Sequence, residues 1–168
     1  MEEQSQTGAL LRTVISGLWE RLLGVSESRS EVKSAPEKWS PKEIIGHLID
    51  SATNNHQRFV RAQFQNNMVF PGYDQDAWVA VQNYQGHTWK DLVNLWYYYN
   101  WHLSQVMDAV PDDIRYSREI KELNLHELAY ISIDKDQPAV LETFMQDYIG
   151  HLEHHIQQIF ANYEKKSK

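Results

Sequence analysis

Four long stretches of this chain repeat apolar residues at three- and four-residue steps, a pattern that leaves little room for anything but packed amphipathic helices. The first, residues 5 to 24, places Leu10, Leu11, Val14, Ile15, Leu18, Leu22 and Leu23 on one stripe and stops at Gly24 and a serine-rich loop. The second, 41 to about 65, opens with Ser40-Pro41-Lys42-Glu43. Serine is a natural N-cap there, proline suits the first helical position, and the glutamate completes a capping box. The third follows the looser capping pattern Thr88-Trp89-Lys90-Asp91 and runs to about 109, with Trp89, Leu92, Val93, Trp96, Tyr99, Leu103, Val106 and Met107 on its stripe and Pro111 beyond its end. The fourth, 138 to about 163, carries Leu141, Phe144, Met145, Tyr148, Leu152, Ile156 and Ile159 on one side.

Two longer connections separate these segments. Residues 66–87 hold Pro71-Gly72, a turn signal, then Tyr73-Asp74-Gln75-Asp76-Ala77-Trp78-Val79, which suits a short helix. In 110–137, Leu123 to Ile133 has partly helical spacing, while Ile131-Ser132-Ile133 reads equally well as a short extended stretch. No repeat or linker composition divides the 168 residues. The expectation is an all-α fold: a single domain spanning 1–168, built as an antiparallel four-helix bundle with two elaborated crossovers.

Composition narrows the chemistry. With no cysteine, disulfides, thiolate nucleophiles and zinc-thiolate sites are excluded, and histidine and carboxylate remain as metal ligands. A net charge of -7 repels nucleic acid and anionic membranes, and basic residues cluster only at Lys165, Lys166 and Lys168. The start, Met1-Glu2-Glu3-Gln4-Ser5, lacks the basic-then-apolar order of a signal peptide, and no apolar run reaches the ~20 residues of a membrane span. The expected location is the cytoplasm.

His151 and His155 lie four residues apart on the fourth segment, about 40° apart in helical phase, which is metal-chelating spacing. A catalytic divalent metal usually takes three protein ligands and keeps a further position open, so a third must come from elsewhere. Phase narrows the choice among the remaining histidines. His154 falls among Asp147, Gln157 and Gln158 on the polar face, and His47 and His56, nine residues apart, point to opposite sides of the second segment, so at most one joins the pair. His87 sits at a loop end, His102 lies off the third stripe, and His126 is in the second connection. His47 shares its face with Ser51, Asn54, Asn55 and Arg58, a seam too polar for plain core packing, and phase favours it. Paired histidines at this spacing also occur on ordinary helices, and the aromatic run Trp96-Tyr97-Tyr98-Tyr99-Asn100-Trp101 covers every side of its helix, as core or interface does. Asn100 lies within an apolar stripe, where a buried amide either faces a site or bonds a neighbouring helix.

Three motifs carry a family resemblance. Lys38-Trp39-Ser40-Pro41-Lys42-Glu43-Ile44-Ile45-Gly46-His47-Leu48-Ile49-Asp50, followed by Arg58, resembles the second-helix signature of the DinB/YfiT-like superfamily. Gly72-Tyr73-Asp74-Gln75-Asp76-Ala77-Trp78-Val79 looks like the segment that follows it there, and His151-Leu152-Glu153-His154-His155-Ile156-Gln157-Gln158-Ile159 is similar to its last-helix motif. The resemblance implies a four-helix bundle of up-down-down-up topology, frequently dimeric, with a divalent metal, commonly zinc or nickel, held by three histidines. Carried over residue by residue, these fall on His47, His151 and His155. Members with assigned activity resemble thiol S-transferases that use bacillithiol or mycothiol, and mycothiol-dependent isomerases, while others are labelled metal-dependent hydrolases by analogy.

The expected function is therefore that of a metal-dependent enzyme acting on a small molecule, either a thiol S-transferase or a hydrolase, with a non-catalytic metal-binding or dimeric bundle as the competing class. Candidate catalytic residues are Arg58, for holding a cosubstrate carboxylate or orienting a polar group, or else in a salt bridge with Asp50 or another carboxylate; Asp74 and Asp76, with Trp78, as a lid or wall, either carboxylate also able to act as a base; and Asn100. Asp50 is a candidate for fixing a ligand imidazole through its second nitrogen. A homodimer is expected, with no nucleic acid or membrane as partner.

Overall fold

The computed structural model describes residues 6–66, 68–122 and 138–164. Among these, helices α1 (Thr7–Leu23), α2 (Glu27–Ser30), α3 (Pro41–Arg61), α4 (Gln75–Val81), α5 (Trp89–Asp108), α6 (Asp112–Arg115) and α7 (Leu141–Glu164) account for most of the chain. A 3-10 turn, Tyr84–Gly86, precedes α5, and three short strands, β1 (Met68–Phe70), β2 (Glu119–Glu122) and β3 (Ala139–Val140), lie in the connections. The four long helices form the bundle. None of the described helices is long and apolar enough to cross a membrane.

Side-chain contacts set the direction of each bundle helix. At the start of α1, Arg12 bonds Ser104 and Asp108 near the end of α5, while Trp19, further along, bonds Asn94, so α1 and α5 are antiparallel. Thr7 bonds Glu142, and Arg21 sits over the Phe160 ring, so α1 and α7 run together. Glu27 ties the starts of α3 and α5 to one point by pairing with Lys42 and accepting from the Trp89 amide, which makes those helices parallel. Phe59 meets Phe144 and Tyr148, whereas His47 meets His151 and His155, so α3 and α7 are antiparallel. The result is up-down-down-up. α3 and α5 are side by side and parallel, which only the long crossover between them allows.

Local chemistry explains the helix starts. Ser40 accepts from the Glu43 amide and Glu43 accepts from the Ser40 amide, the complete capping box, with Pro41 in the first turn. Thr88 caps α5 by accepting from Asp91, and Asp74 caps α4 by accepting from Ala77. The buried stripes meet in one core that includes Leu11, Ile15, Leu48, Phe59, Trp96, Leu103, Met145 and Leu152. α3 is packed by α5 and α7 and also by α4 and the 3-10 turn. Gly46 makes the last contact possible, because a Cβ there would stand 2.1 Å from the Tyr84 ring.

Several boundaries differ from the periodic pattern. α3 ends at Arg61 rather than near 65, and α7 starts at Leu141 rather than 138, because Ala139 and Val140 pair as a strand antiparallel to Glu119 and Ile120. β1 pairs parallel with β2, Met68 opposite Ile120, completing a small sheet in the order β1-β2-β3. The serine-rich loop after α1 contains α2, and the turn after α5 contains α6. His126, the partly helical 123–133 stretch and the Ile131–Ile133 alternative lie outside the described residues.

Candidate metal centre

His47 sits early on α3, fully buried, on the side covered by α7. Because those helices are antiparallel, it faces the later half of α7, where His151 and His155 present two imidazoles one turn apart. The Nε2 atoms of His47 and His151 are 3.4 Å apart. Ring centroids lie 4.7 Å apart for His47 and His155 and 4.6 Å for His151 and His155, and one nitrogen of each residue falls within 4.8 Å of the others. Two nitrogens held about 2.0–2.1 Å from one ion at a tetrahedral angle stand about 3.3 Å apart. The three donors therefore fit a single divalent transition metal with little rearrangement. His155 Nδ1 lies 3.3 Å from Gln158 Oε1, an acceptor that holds the proton on Nδ1 and leaves Nε2 for a ligand bond.

Burial keeps all three rings neutral. The His47 pKa is pushed down to about 2, first by burial and then by His155 and His151. His151 falls to about 3 through burial, His155 and His154. His155 falls to about 4 mainly through burial, with the Gln158 bond acting in the opposite direction. At neutral pH the site is a set of uncharged imidazole lone pairs, which suits zinc, nickel or a similar ion and not magnesium or calcium.

A model of the DinB superfamily matches residues 10–159 of the sequence. The chain belongs to the DinB superfamily. Among solved structures it is similar to YfiT from Bacillus subtilis, described as a probable metal-dependent hydrolase with an unusual four-helix bundle topology. That likeness has 17% sequence identity and a TM-score of 0.79 and covers 99% of this chain and 89% of YfiT. Comparison with curated protein sequences finds no match.

The other residues singled out by sequence fall in different places on this DinB fold. His154 is exposed, with its ring against His155. His56 meets Tyr99 and His102 on the α5 side of α3, and His87 follows the 3-10 turn. Asn100 is consumed structurally: its amide donates to the Trp96 carbonyl and its oxygen accepts from the Tyr148 hydroxyl across the core. Arg58 is buried eleven residues along α3 from His47, bonds Asn55 and stands over the Phe70 and Phe144 rings at 5.5 and 5.7 Å. Asp50 turns from the imidazoles to the end of α4 and the 3-10 turn, where its Oδ1 accepts from Gln82 and Tyr84, both at 2.6 Å. Its pKa is raised, chiefly by burial. Asp74 serves as the α4 cap. The Trp78 ring packs tilted against Tyr73, with centroids 4.8 Å apart and planes at 49°, and stays partly exposed.

Asp76 shares a cleft with the ligand histidine His155. A cleft of about 460 Å³ runs past His155 between Trp39, Lys38, Ile44, Asp76 and Gln158. Trp39 forms its inner wall, 4.9 Å from the His47 ring and 6.3 Å from the His155 ring. Sequence reasoning missed Trp39 and Gln158, although both carried a signal. Trp39 precedes the Ser40 cap and Ile44 lies four residues after it, the arrangement of a hydrophobic staple. Gln158 is three residues after His155, on the same helix face.

Proposed function

We propose that this chain is a metal-dependent enzyme that conjugates a low-molecular-weight thiol to an electrophilic small molecule. The observation that carries the reading is the trio itself: three neutral imidazoles converge beside an open cleft, and no carboxylate oxygen among the described residues joins their donor atoms within 4.8 Å. A divalent ion held there, zinc or nickel, would act as a Lewis acid that lowers the pKa of a thiol or water at its remaining position. His47, His151 and His155 supply the ligands, Gln158 orients His155, and Trp39 separates the donors from solvent on the cleft side. Thiol transfer needs no separate general base once the thiol is acidified. Three carboxylates singled out from the sequence are engaged or turned away: Asp50 accepts from Tyr84 and Gln82, Asp74 caps α4, and Glu153 lies on the exposed side of α7.

Hydrolysis is the second reading, and Asp76 is the observation that favours it, because this carboxylate lines the same cleft as His155 and could take a proton from water. The two readings separate in one comparison. Turnover of a chlorinated aromatic with bacillithiol, glutathione or cysteine is measured beside a panel of esters and amides, with His151→Ala as the control. Thiol conjugation that requires His151 is expected; metal-dependent hydrolysis with no conjugation overturns the transferase reading.

A further inference from the structure

Nine residues beyond His47, on the opposite side of α3, a second pair of imidazoles bridges α3 and α5. The His56 and His102 rings stand edge to face, with centroids 5.2 Å apart and planes at 84°. His56 Nδ1 is 2.8 Å from the Tyr99 hydroxyl, and Tyr99 precedes His102 by one helical turn, so α5 supplies both neighbours of the His56 ring. In the tautomer whose Nδ1–H donates to Tyr99, the Nε2 lone pair of His56 is available, the arrangement found where an outer partner fixes a metal-ligating histidine. His102 is exposed and can adjust its rotamer, while His56 is half-buried on a rigid helix. Burial and His102 also hold the His56 pKa below its ordinary value, which favours the neutral ring.

We propose that His56 and His102 form a second binding site for a divalent transition metal, with Tyr99 positioning the His56 ring. Among the described residues no carboxylate or third imidazole joins these two within 4.8 Å, so water completes the coordination. That donor set selects copper, nickel or zinc and gives magnesium and calcium nothing to bind. With two protein ligands in place of three, the site is weaker than the trio and fills after it. The two sites lie on opposite sides of α3 and share no residue.

The test is equilibrium dialysis of the full-length protein against excess Zn(II), with ring-proton resonances of His56 and His102 followed by NMR. The wild type is expected to take about two equivalents, the second shifting the resonances of His56 and His102. His102→Ala and His56→Ala each lose one equivalent; His102 is exposed, so its removal leaves the fold in place. Tyr99→Phe keeps the stoichiometry but raises the dissociation constant of the second equivalent on the order of 10- to 100-fold, and an unchanged constant removes the role assigned to Tyr99. His87→Ala, which removes an exposed histidine elsewhere, leaves both equivalents in place, whereas an equal loss there shows scattered surface binding and overturns the site. Equal metal content in wild type and His102→Ala also overturns it. Should the trio hold no metal, the wild type takes one equivalent and His102→Ala none, so the two sites are read separately.

Discussion

Acidifying the metal-free protein tests the electrostatics of the trio. An unfolded histidine titrates near 6.5, whereas folded His47, His151 and His155 titrate at about 2, 3 and 4. Between those values the unfolded chain binds protons that the native state refuses, so stability is complete above 6.5 and is lost as pH falls toward the folded pKa values. From about pH 7.5 to about pH 5.5 each such imidazole costs about 1.4 kcal/mol. Three give about 4 kcal/mol, with the more exposed His155 contributing least. Against a total stability of roughly 5–15 kcal/mol, that loss is easily seen in urea unfolding curves recorded with a chelator. His47→Gln keeps a neutral polar side chain and removes one titrating group, so its pH dependence should be shallower by about 1.4 kcal/mol over the same interval. Groups common to both proteins cancel in that difference. Identical pH dependence in the two proteins would mean that His47 already titrates in the native state, refuting the account of burial and neighbouring imidazoles. The same neutrality predicts that metal affinity stays nearly flat over this interval, because no native-state proton has to leave the rings.

Three further outcomes follow from the geometry. His47→Ala, His151→Ala and His155→Ala each abolish tight metal binding while His154→Ala and His56→Ala leave it, as measured by competition with a chromophoric chelator; loss of tight binding in His154→Ala with retention in His151→Ala would reverse the assigned helix face. Arg115 is buried, pairs with Glu142 at 2.7 Å and holds the Met107 and Val110 carbonyls; Arg115→Leu leaves the Glu142 carboxylate without its cation at the α6–α7 junction and lowers stability by about 3–5 kcal/mol in urea unfolding. Leu95, Tyr98 and Trp101 are 51%, 64% and 39% exposed on the outer face of α5, an apolar surface suited to a second copy of the chain, so sedimentation should show a homodimer that Tyr98→Glu dissociates, and a wild-type monomer at micromolar concentration would remove this expectation.

The features legible along the chain are local ones. Stripes at three- and four-residue steps, the Ser40–Glu43 box and the Thr88 cap specify four helices, because each depends on neighbours within one or two turns. Phase alone separates His47 from His56 and His151 and His155 from His154, because a helix is a rigid ruler over a dozen residues. Whatever depends on which faces meet is set by packing. The β1–β2 pairing joins segments about fifty residues apart and only a few residues long, too short to leave a periodic trace. Ala139 and Val140, which continue the α7 pattern, are taken into that sheet by partners near 120. Asp50 and Arg58 sit on a helix with an amphipathic pattern, yet both are buried, because Gln82 and Tyr84, at the end of α4 and in the 3-10 turn, close over Asp50, while Phe70 of β1 and Phe144 of α7 stand against Arg58. Phase says which residues share a face. Only the packing of parallel α3 and α5, and of antiparallel α3 and α7, places His56 against His102 and His47 between His151 and His155.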